Sequence, residues 1–132
     1  MGFKVLITPR SFEHIKDKFW GLLKDAEIEV VMNPYGRVIK EDEMVELVRD
    51  MDGIIVGIDP ITKKVIDNAR KLKVISKYGV GVDNIDLEAA KERNIVVTNT
   101  PNANSNAVAE LTVGLIISVL RNIPLSDRRV RE

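Results

Sequence analysis

Short apolar runs alternate with longer amphipathic segments along the 132 residues, and no other feature of the chain constrains its fold as strongly. The short runs are rich in Val and Ile, which is typical of parallel strands buried on both faces. They lie at residues 4–8, 27–32, 53–57, 73–76 and 95–98. Strands that alternate with helices in this way indicate an α/β fold with right-handed crossovers.

The intervening segments carry apolar residues at helical spacing. Helices are predicted at residues 12–23, 44–51, 65–72, 86–94 and 104–121. Asp86 is the expected N-cap of the fourth helix, and Asn94 is expected to end it. The fifth helix should stop before Pro124, and the charged tail that follows is expected to fray.

We therefore predict a flavodoxin-like open five-stranded parallel sheet of order 2-1-3-4-5, with helices on both faces and a long C-terminal helix. In such sheets ligands bind beyond the carboxyl ends of the strands, near the point where the strand order reverses. By this rule the candidate loops are residues 9–11, 57–60, 77–84 and 99–102.

Composition and charge exclude several classes of function. Twenty basic and twenty acidic residues cancel, so we expect neither nucleic acid nor an anionic membrane as a partner. The absence of cysteine excludes disulfides and thiolate metal sites, and it fits a cytoplasmic protein. The apolar run at 107–120 is interrupted by polar residues and is shorter than the ~20 residues of a membrane span. His14 is the single histidine and is expected to lie away from every candidate site, so no metal centre is predicted.

A glycine loop, KYGVGVDNID at residues 77–86, follows the fourth predicted strand. A dinucleotide fingerprint needs a third glycine where this chain has Asn84, and an acidic residue roughly 20 positions further on, where it reads VTNTP. The loop therefore does not match that fingerprint. Two alternatives stay open: the amides of Val80 and Gly81 hold a small anion, with Lys77 adding positive charge, or the loop is a tight turn without a ligand.

Residues 73–124 resemble the D-2-hydroxyacid dehydrogenase family, most specifically in GVGVDNID, VTNTP and NSNAVAELT. KVLITPRSF and GIIVGIDPIT extend the resemblance more loosely toward the N-terminus. The resemblance implies a substrate domain at 1–103, an interdomain and dimer helix at 104–122, and at 123–132 the start of a nucleotide-binding domain.

The activity that the resemblance implies is hydride transfer between NAD or NADP and a D-2-hydroxy acid, such as 3-phosphoglycerate, or the corresponding 2-keto acid. No residue of these 132 matches the catalytic residues of the family. The chain would then be a partial one, inactive alone and without tight cofactor binding.

The same resemblance assigns substrate contacts to the glycine loop. Lys77 would pair with a carboxylate or phosphate, and the amides at Gly79, Val80 and Gly81 would receive the substrate carboxylate. Tyr78, where the family often has a smaller residue, would narrow the pocket.

Further contacts are expected outside that loop. Arg10, which follows the first strand at the predicted switch point, is a candidate anion partner. Val80 and Thr112 match positions that approach the cofactor in the family. Asp59 stands at a strand end where phosphoglycerate-type sequences tend to place Arg-Ser, so a non-phosphorylated acid remains open.

The second half of the chain also contains candidate turn and helix-capping residues and a candidate surface for self-association. Asp83 and Asn84 are expected to organise their turn through bonds to backbone. Asn102, Asn104 and Ser105 are expected to satisfy the free N–H groups of the long helix. Because that helix is apolar on nearly every side, we expect a homodimer through residues 104–122.

Three other functions compete with this interpretation. A receiver-type signalling domain would use Asp59 as phosphoacceptor, but Thr8-Pro9-Arg10 stands where an acidic pair is needed. An FMN-binding flavodoxin would need a glycine in the phosphate loop, where this chain has TPRSFE. A folding or assembly module without a ligand remains possible for this chain.

Overall fold

The computed structural model describes residues 2–132, without the side chains at positions 16 and 18. It divides into two compact units, Met1–Pro101 and Asn102–Glu132. The strands of the first unit are β1 (Lys4–Ile7), β2 (Glu29–Met32), β3 (Gly53–Val56), β4 (Val74–Lys77) and β5 (Val96–Thr98). Its helices are α1 (Lys16–Asp25), α2 (Glu41–Val48), α3 (Lys63–Asn68) and α4 (Leu87–Glu92). The second unit contains α5 (Ser105–Leu120) and α6 (Ile123–Arg131).

The five strands form one parallel sheet of order β2-β1-β3-β4-β5, which confirms the predicted topology. The register pairs Ile7 with Ile55 and Val56 with Lys77, so β1, β3 and β4 end at nearly the same level. Across the sheet, the connection from β1 to β2 runs toward one edge, and the connections from β2 to β3, β4 and β5 run toward the opposite edge. Right-handed crossovers therefore place α1 on one face of the sheet and α2 to α4 on the other.

The main core lies between the sheet and α2, α3 and α4. Their inward side chains are fully or almost fully buried. The predicted helices 44–51 and 65–72 are too long at their ends, because Met51 lies beyond α2 and Ala69 and Leu72 lie beyond α3, although all three are buried. The largest of these buried side chains are Leu6, Ile39, Met44, Ile54, Ile61, Ile66 and Ile75. The edge strand β5 departs from the predicted burial on both faces, because Val96 is exposed there.

The face that carries α1 is packed less completely. The single helix predicted at 12–23 is wrong: a 3-10 helix at Arg10–His14 precedes α1, and Ile15 separates the two. Phe12 is buried and contacts Phe19 with ring centroids 6.1 Å apart, but Phe19 and Leu22 are themselves exposed. The apolar stripe of α1 is thus only partly covered in the described structure.

Two helices of the first unit end in the same way, with a residue in the left-handed region. Asn94 has φ 55° after α4, and the Ile95 amide donates to the Ala90 carbonyl at 2.8 Å. Glu27 has φ 52° after α1, and the Ile28 amide donates to the Leu23 carbonyl at 2.9 Å. Both are Schellman motifs, in which Gly or Asn is the usual residue at the left-handed position.

The start of α4 confirms the predicted N-cap. The Asp86 carboxylate accepts a hydrogen bond from the Ala89 amide at 2.9 Å. The predicted caps of α5 are wrong, because Asn104 has φ −120° and ψ 8° rather than the extended conformation of a capping residue. Neither Asn102 nor Ser105 caps α5 with its side chain in the described residues.

The second unit consists of α5 and α6. Every residue of α5 is exposed except Ser118, which is half-buried. The expected frayed tail is wrong: residues 123–131 form α6, with Pro124 in its first turn and an Arg131–Asp127 ion pair at 2.9 Å. Proline suits this position because a first-turn N–H has no partner within the helix. Within the described residues no single helix meets the length and hydropathy of a membrane span, and α5 and α6 reach them only as a pair bent by 61°.

Candidate functional site

The carboxyl ends of β1, β3 and β4 meet at one edge of the sheet. Ladder hydrogen bonds continue one residue past two of these strands: the Thr8 amide donates to Ile55 O at 2.9 Å, and the Tyr78 amide donates to Val56 O at 2.8 Å. Three of the predicted ligand loops therefore begin side by side, as the strand-end rule requires.

Thr8 and Asp59 form a buried polar pair behind this edge. They are only 2% and 3% exposed, and the Thr8 hydroxyl donates to the Asp59 carboxylate. The Ile39 amide donates to the same carboxylate at 2.8 Å, and the Gly57 amide donates to the Thr8 hydroxyl at 3.1 Å. Asp59 is therefore occupied in joining three loops inside the protein, rather than exposed to a ligand.

Lys77 is also buried, with 7% of its surface exposed. Its ammonium donates to Gly57 O at 2.5 Å and to Asn84 Oδ1 at 2.7 Å. Asn84 Nδ2 donates in turn to Asp59 O at 2.6 Å and to Gly57 O at 3.1 Å. No carboxylate among the described residues lies within 4.0 Å of the Lys77 ammonium. Asn84 does bond to backbone as predicted, but it bonds to the β3 loop rather than to its own turn.

The glycine loop presents free amides to solvent. Gly79 has φ 148°, and its carbonyl accepts from the Thr100 amide at 3.0 Å. The Val80 carbonyl accepts from Asn99 Nδ2 at 2.8 Å. Neither the Val80 amide nor the Gly81 amide donates to a protein acceptor within residues 2–132. Val80 is 41% exposed and Gly81 is exposed as well, so these two donors belong to surface residues, with the Asp83 carboxylate beside Gly81.

A cleft of about 670 Å³ opens beside this loop in the first unit. It brings together Arg10 and Tyr78, whereas Lys77 and residues 79–81 do not line it. The lining residues are Thr8, Pro9, Arg10, Ser11, Glu13, His14, Arg37, Val38, Gly57, Ile58, Asp59 and Tyr78.

Two side chains of the cleft are held by defined contacts. Arg10 donates from Nη1 to Gly36 O at 2.7 Å, and Tyr78 lies edge-on to Phe12 with ring centroids 6.4 Å apart. The expectation that His14 lies away from every candidate site is wrong, because the 3-10 helix places it in the cleft lining.

Arg37 and Val38 line the cleft but were missed by the sequence reasoning. They belong to the loop after β2, and the strand-end rule would have included that loop had it been applied to all the strands. Arg37 makes two hydrogen bonds to Glu43, at 2.6 and 2.9 Å. These bonds, with a third from the Lys40 amide, lower the pKa of Glu43 to about 2. The pairing of Arg37 with Glu43 had no signal in the sequence.

Thr112 belongs to the second unit, on α5. Its hydroxyl donates to Val108 O at 2.7 Å, one turn earlier in the same helix. Within the described residues no group of three His, Cys, Asp or Glu side chains is arranged to hold a metal ion.

A family model described as D-isomer specific 2-hydroxyacid dehydrogenase, catalytic domain, matches residues 6–122. Among curated proteins, D-3-phosphoglycerate dehydrogenase of Methanocaldococcus jannaschii is 43% identical over 122 residues, covering 92% of this chain and 22% of that protein. A putative 2-hydroxyacid dehydrogenase of Staphylococcus saprophyticus is 41% identical over 111 residues, covering 83% of this chain and 35% of that protein. The chain thus spans between about a fifth and a third of the length of these relatives.

Solved structures agree with the same family. The NAD+-bound 3-phosphoglycerate dehydrogenase of Entamoeba histolytica superimposes with a TM-score of 0.77 and 37% identity, covering 89% of this chain and 39% of that one. An NAD-dependent formate dehydrogenase from Staphylococcus aureus, in complex with NAD, gives a TM-score of 0.81 and 26% identity, covering 98% and 42%.

Proposed function

Since the chain belongs to the D-isomer specific 2-hydroxyacid dehydrogenase family, we propose that it forms the substrate-binding part of an NAD(P)-dependent oxidoreductase acting on a D-2-hydroxy acid. Curated relatives include D-3-phosphoglycerate dehydrogenases, and a solved relative carries NAD+. The chain spans only part of each, so the activity of a whole enzyme belongs to the proposal.

The pair of free amides at Val80 and Gly81 is the observation that carries this proposal. The carbonyls of Gly79 and Val80 accept hydrogen bonds from the segment after β5, whereas the amides of Val80 and Gly81 have no acceptor within the described residues. Backbone N–H groups that lack an internal acceptor are suited to a carboxylate, because charge-assisted bonds to them are strong. We propose that they receive the C1 carboxylate of the substrate.

The remainder of the substrate would extend toward the cleft, where Arg10 and Tyr78 lie together. Arg10 uses one N–H on Gly36 O and keeps further donors for an anionic group. A distal phosphate, as in 3-phosphoglycerate, would be bound there, whereas a plain 2-hydroxy acid would leave Arg10 without an anion. Tyr78 would limit the width available to the substrate.

The nicotinamide cofactor fits these residues only in part. The described residues contain no three-glycine phosphate loop, and the Thr112 hydroxyl is used within its own helix. Val80 offers an exposed apolar side chain, which is the kind of surface a nicotinamide ring contacts. We propose that residues outside this sequence hold most of the NAD or NADP, which would supply the hydride chemistry when bound, and that Val80 and Thr112 contribute at most local contacts.

An amide NMR titration of this chain tests the proposal. D-lactate, its uncharged methyl ester, 3-phosphoglycerate and NADH are added in turn. We expect D-lactate and 3-phosphoglycerate to shift the Val80 and Gly81 amides, the ester to shift them far less, and NADH to have little effect. Arg10→Gln should weaken the binding of 3-phosphoglycerate more than the binding of D-lactate. Arg49→Gln is the control: it removes an arginine that forms an exposed ion pair with Glu46, and it should change the binding of neither acid.

The opposite result has a definite meaning. If no acid shifts the Val80 and Gly81 amides, or if the methyl ester acts as strongly as D-lactate, the loop is not a carboxylate site. The chain is then better described as a folding and assembly module without a ligand of its own.

We also propose that the exposed apolar surface of α5 pairs with a second copy of the chain. Its large exposed side chains lie on all sides of the helix. They are Val108, Leu111, Val113, Leu115, Ile116, Ile117, Val119 and Leu120. A contiguous exposed apolar surface favours association in water. A homodimer through residues 104–122 would bury it.

A further inference from the structure

Lys77 is a buried ammonium that has no counter-ion among the described residues. Burying such a charge is costly unless hydrogen bonds compensate for its lost hydration. Two of its three donors are used on protein oxygens, Gly57 O at 2.5 Å and Asn84 Oδ1 at 2.7 Å. A lysine that served only to contact substrate would keep its ammonium exposed to the cleft, which Lys77 does not line.

The contacts of Lys77 close the glycine loop into a ring. Lys77 stands at the start of the loop and Asn84 near its end, and their side chains bond to each other. Both also donate to the same Gly57 carbonyl, at 2.5 and 3.1 Å. The two ends of the loop are therefore fastened to one atom of the β3 end.

The loop between these anchors needs such support. Gly79 has φ 148° and no Cβ, so its backbone can leave this conformation easily unless neighbouring groups hold it. A Cβ built on Gly79 would lie 3.4 Å from Lys77 Cε, so the lysine stem packs directly beneath that residue. Lys77 therefore contacts the loop on both sides of the Val80 and Gly81 amides, with its stem at Gly79 and its ammonium at Asn84.

We propose that Lys77 is a positioning residue, which acts with Asn84 to hold the Val80 and Gly81 amides in the orientation that accepts a carboxylate and does not itself bind the substrate. This inference rests on the proposed function for the identity of the ligand. It specifies how the loop is kept in place, and it assigns to Asn84 a part in binding although that side chain points at the protein.

The test compares Lys77→Met, Asn84→Ala, the double variant and Lys77→Arg by two measurements. The first is hydrogen exchange of the Thr100 amide, which bonds to Gly79 O and reports on the seating of the loop without any ligand. The second is the Kd for D-lactate from amide NMR. Lys64→Met serves as the control, because Lys64 is an exposed lysine paired with Asp42.

We expect each single variant to speed Thr100 exchange and to raise the Kd by about tenfold or more, as loss of a charge-assisted hydrogen bond implies. The Kd of the double variant should be no higher than that of the weaker-binding single variant, because both changes break the same set of contacts between Lys77, Asn84 and Gly57 O. Lys77→Arg, which keeps the charge and the donors, should restore both measurements at least in part. Lys64→Met should change neither.

Two outcomes would overturn the inference. If Lys77→Met weakens D-lactate binding while Thr100 exchange is unchanged, Lys77 contacts the ligand directly. If the losses of the two single variants multiply in the double variant, Lys77 and Asn84 act independently and do not form one clamp. If the unmodified chain binds no acid, the proposed function fails, but the exchange measurement still decides whether Lys77 and Asn84 hold the loop. If Asn84→Ala loses the dispersed amide spectrum of a folded chain, Asn84→Asp takes its place in the comparison.

Discussion

The hydroxyl of Thr8 donates to the carboxylate of Asp59 and accepts from the amide of Gly57, so one small side chain joins the end of β1 to the loop after β3. Both residues are buried, and the Asp59 carboxylate has one further donor, the Ile39 amide. The floor of the cleft is therefore a hydrogen-bonded polar layer in which each atom depends on its neighbours.

Thr8→Val should destabilise the first unit strongly. The substitution conserves shape but leaves both the Asp59 carboxylate and the Gly57 amide short of a partner, at a cost of about 2–4 kcal/mol in the free energy of unfolding. Urea unfolding followed by circular dichroism measures it. Thr98→Val is the control, because Thr98 is an exposed strand residue and its replacement should stay within about 0.5 kcal/mol. Equal effects of the two substitutions would contradict the buried network.

Glu27→Gly should stabilise the chain. Glu27 occupies the left-handed position of the Schellman motif after α1, at φ 52°, where a side chain costs about 1 kcal/mol relative to glycine. Part of this gain is offset by the larger backbone entropy of glycine in the unfolded chain. Asn94→Gly, at the equivalent position after α4, should gain less because asparagine already tolerates this region. Thermal unfolding of the two variants side by side shows whether Glu27 is the more strained residue.

Gly79→Ala should disrupt the glycine loop. Space is not the obstacle, since the added Cβ would meet Lys77 Cε at an ordinary 3.4 Å; the obstacle is φ 148°, which alanine adopts only at a cost of about 1–3 kcal/mol. We expect lower stability together with shifted amides at Val80 and Gly81. Gly21→Ala, in the interior of α1 with nothing within 4 Å, should instead raise stability by up to about 1 kcal/mol. Similar behaviour of the two glycines would show that alanine is tolerated at the φ of Gly79 and that this position does not require glycine.

Glu43 should make stability depend on pH in the acid range. The hydrogen bonds from Arg37, and then from the Lys40 amide, lower its pKa in the folded chain to about 2, from an ordinary value of 4.5. A lowered folded-state pKa means that the carboxylate stabilises the fold fully above 4.5 and loses this contribution as pH falls through about 2. The stability difference between the unmodified chain and Glu43→Gln should therefore shrink over that window.

An NMR titration of the Glu43 side-chain carboxyl checks the cause directly. In Arg37→Gln the pKa of Glu43 should rise toward its ordinary value, because the largest contribution to its lowering is removed. A Glu43 midpoint near 4.5 in the unmodified chain would contradict the pairing seen in the structure.

Self-association should depend on the surface of α5. Leu111 and Leu115 are exposed one turn apart on that helix, and replacing both by Glu should shift sedimentation velocity profiles toward the monomer over a concentration series. Val130→Glu, at an exposed apolar position on α6, is the matched control and should leave association unchanged. If the chain sediments as a monomer at every concentration, the proposed homodimer is wrong.

Several elements could be predicted because their signals are local in the sequence. The parallel sheet followed from the alternation of strands and helices, and its order was predicted by choosing the flavodoxin-like arrangement. The Asp86 cap and the Asn94 end followed from single residues at helix boundaries. The division of residues 10–25 into a 3-10 helix and α1 was missed, because periodicity does not distinguish one helix from two that follow each other closely. The helical tail was missed because its charge was given more weight than the proline at its start.

The amino-acid sequence by itself determined the elements, their parallel α/β arrangement and the strand-end loops in which a ligand site would form, because hydrophobic period, capping and crossover handedness depend on residues close together in the chain. Only the tertiary structure decided which polar groups at that edge are used up and which are free. Thr8 meets Asp59 across 51 positions, and Lys77 reaches Gly57 across 20. Those partners are selected by strand register and burial, and so Asp59 and Lys77 hold the loops while the Val80 and Gly81 amides remain available.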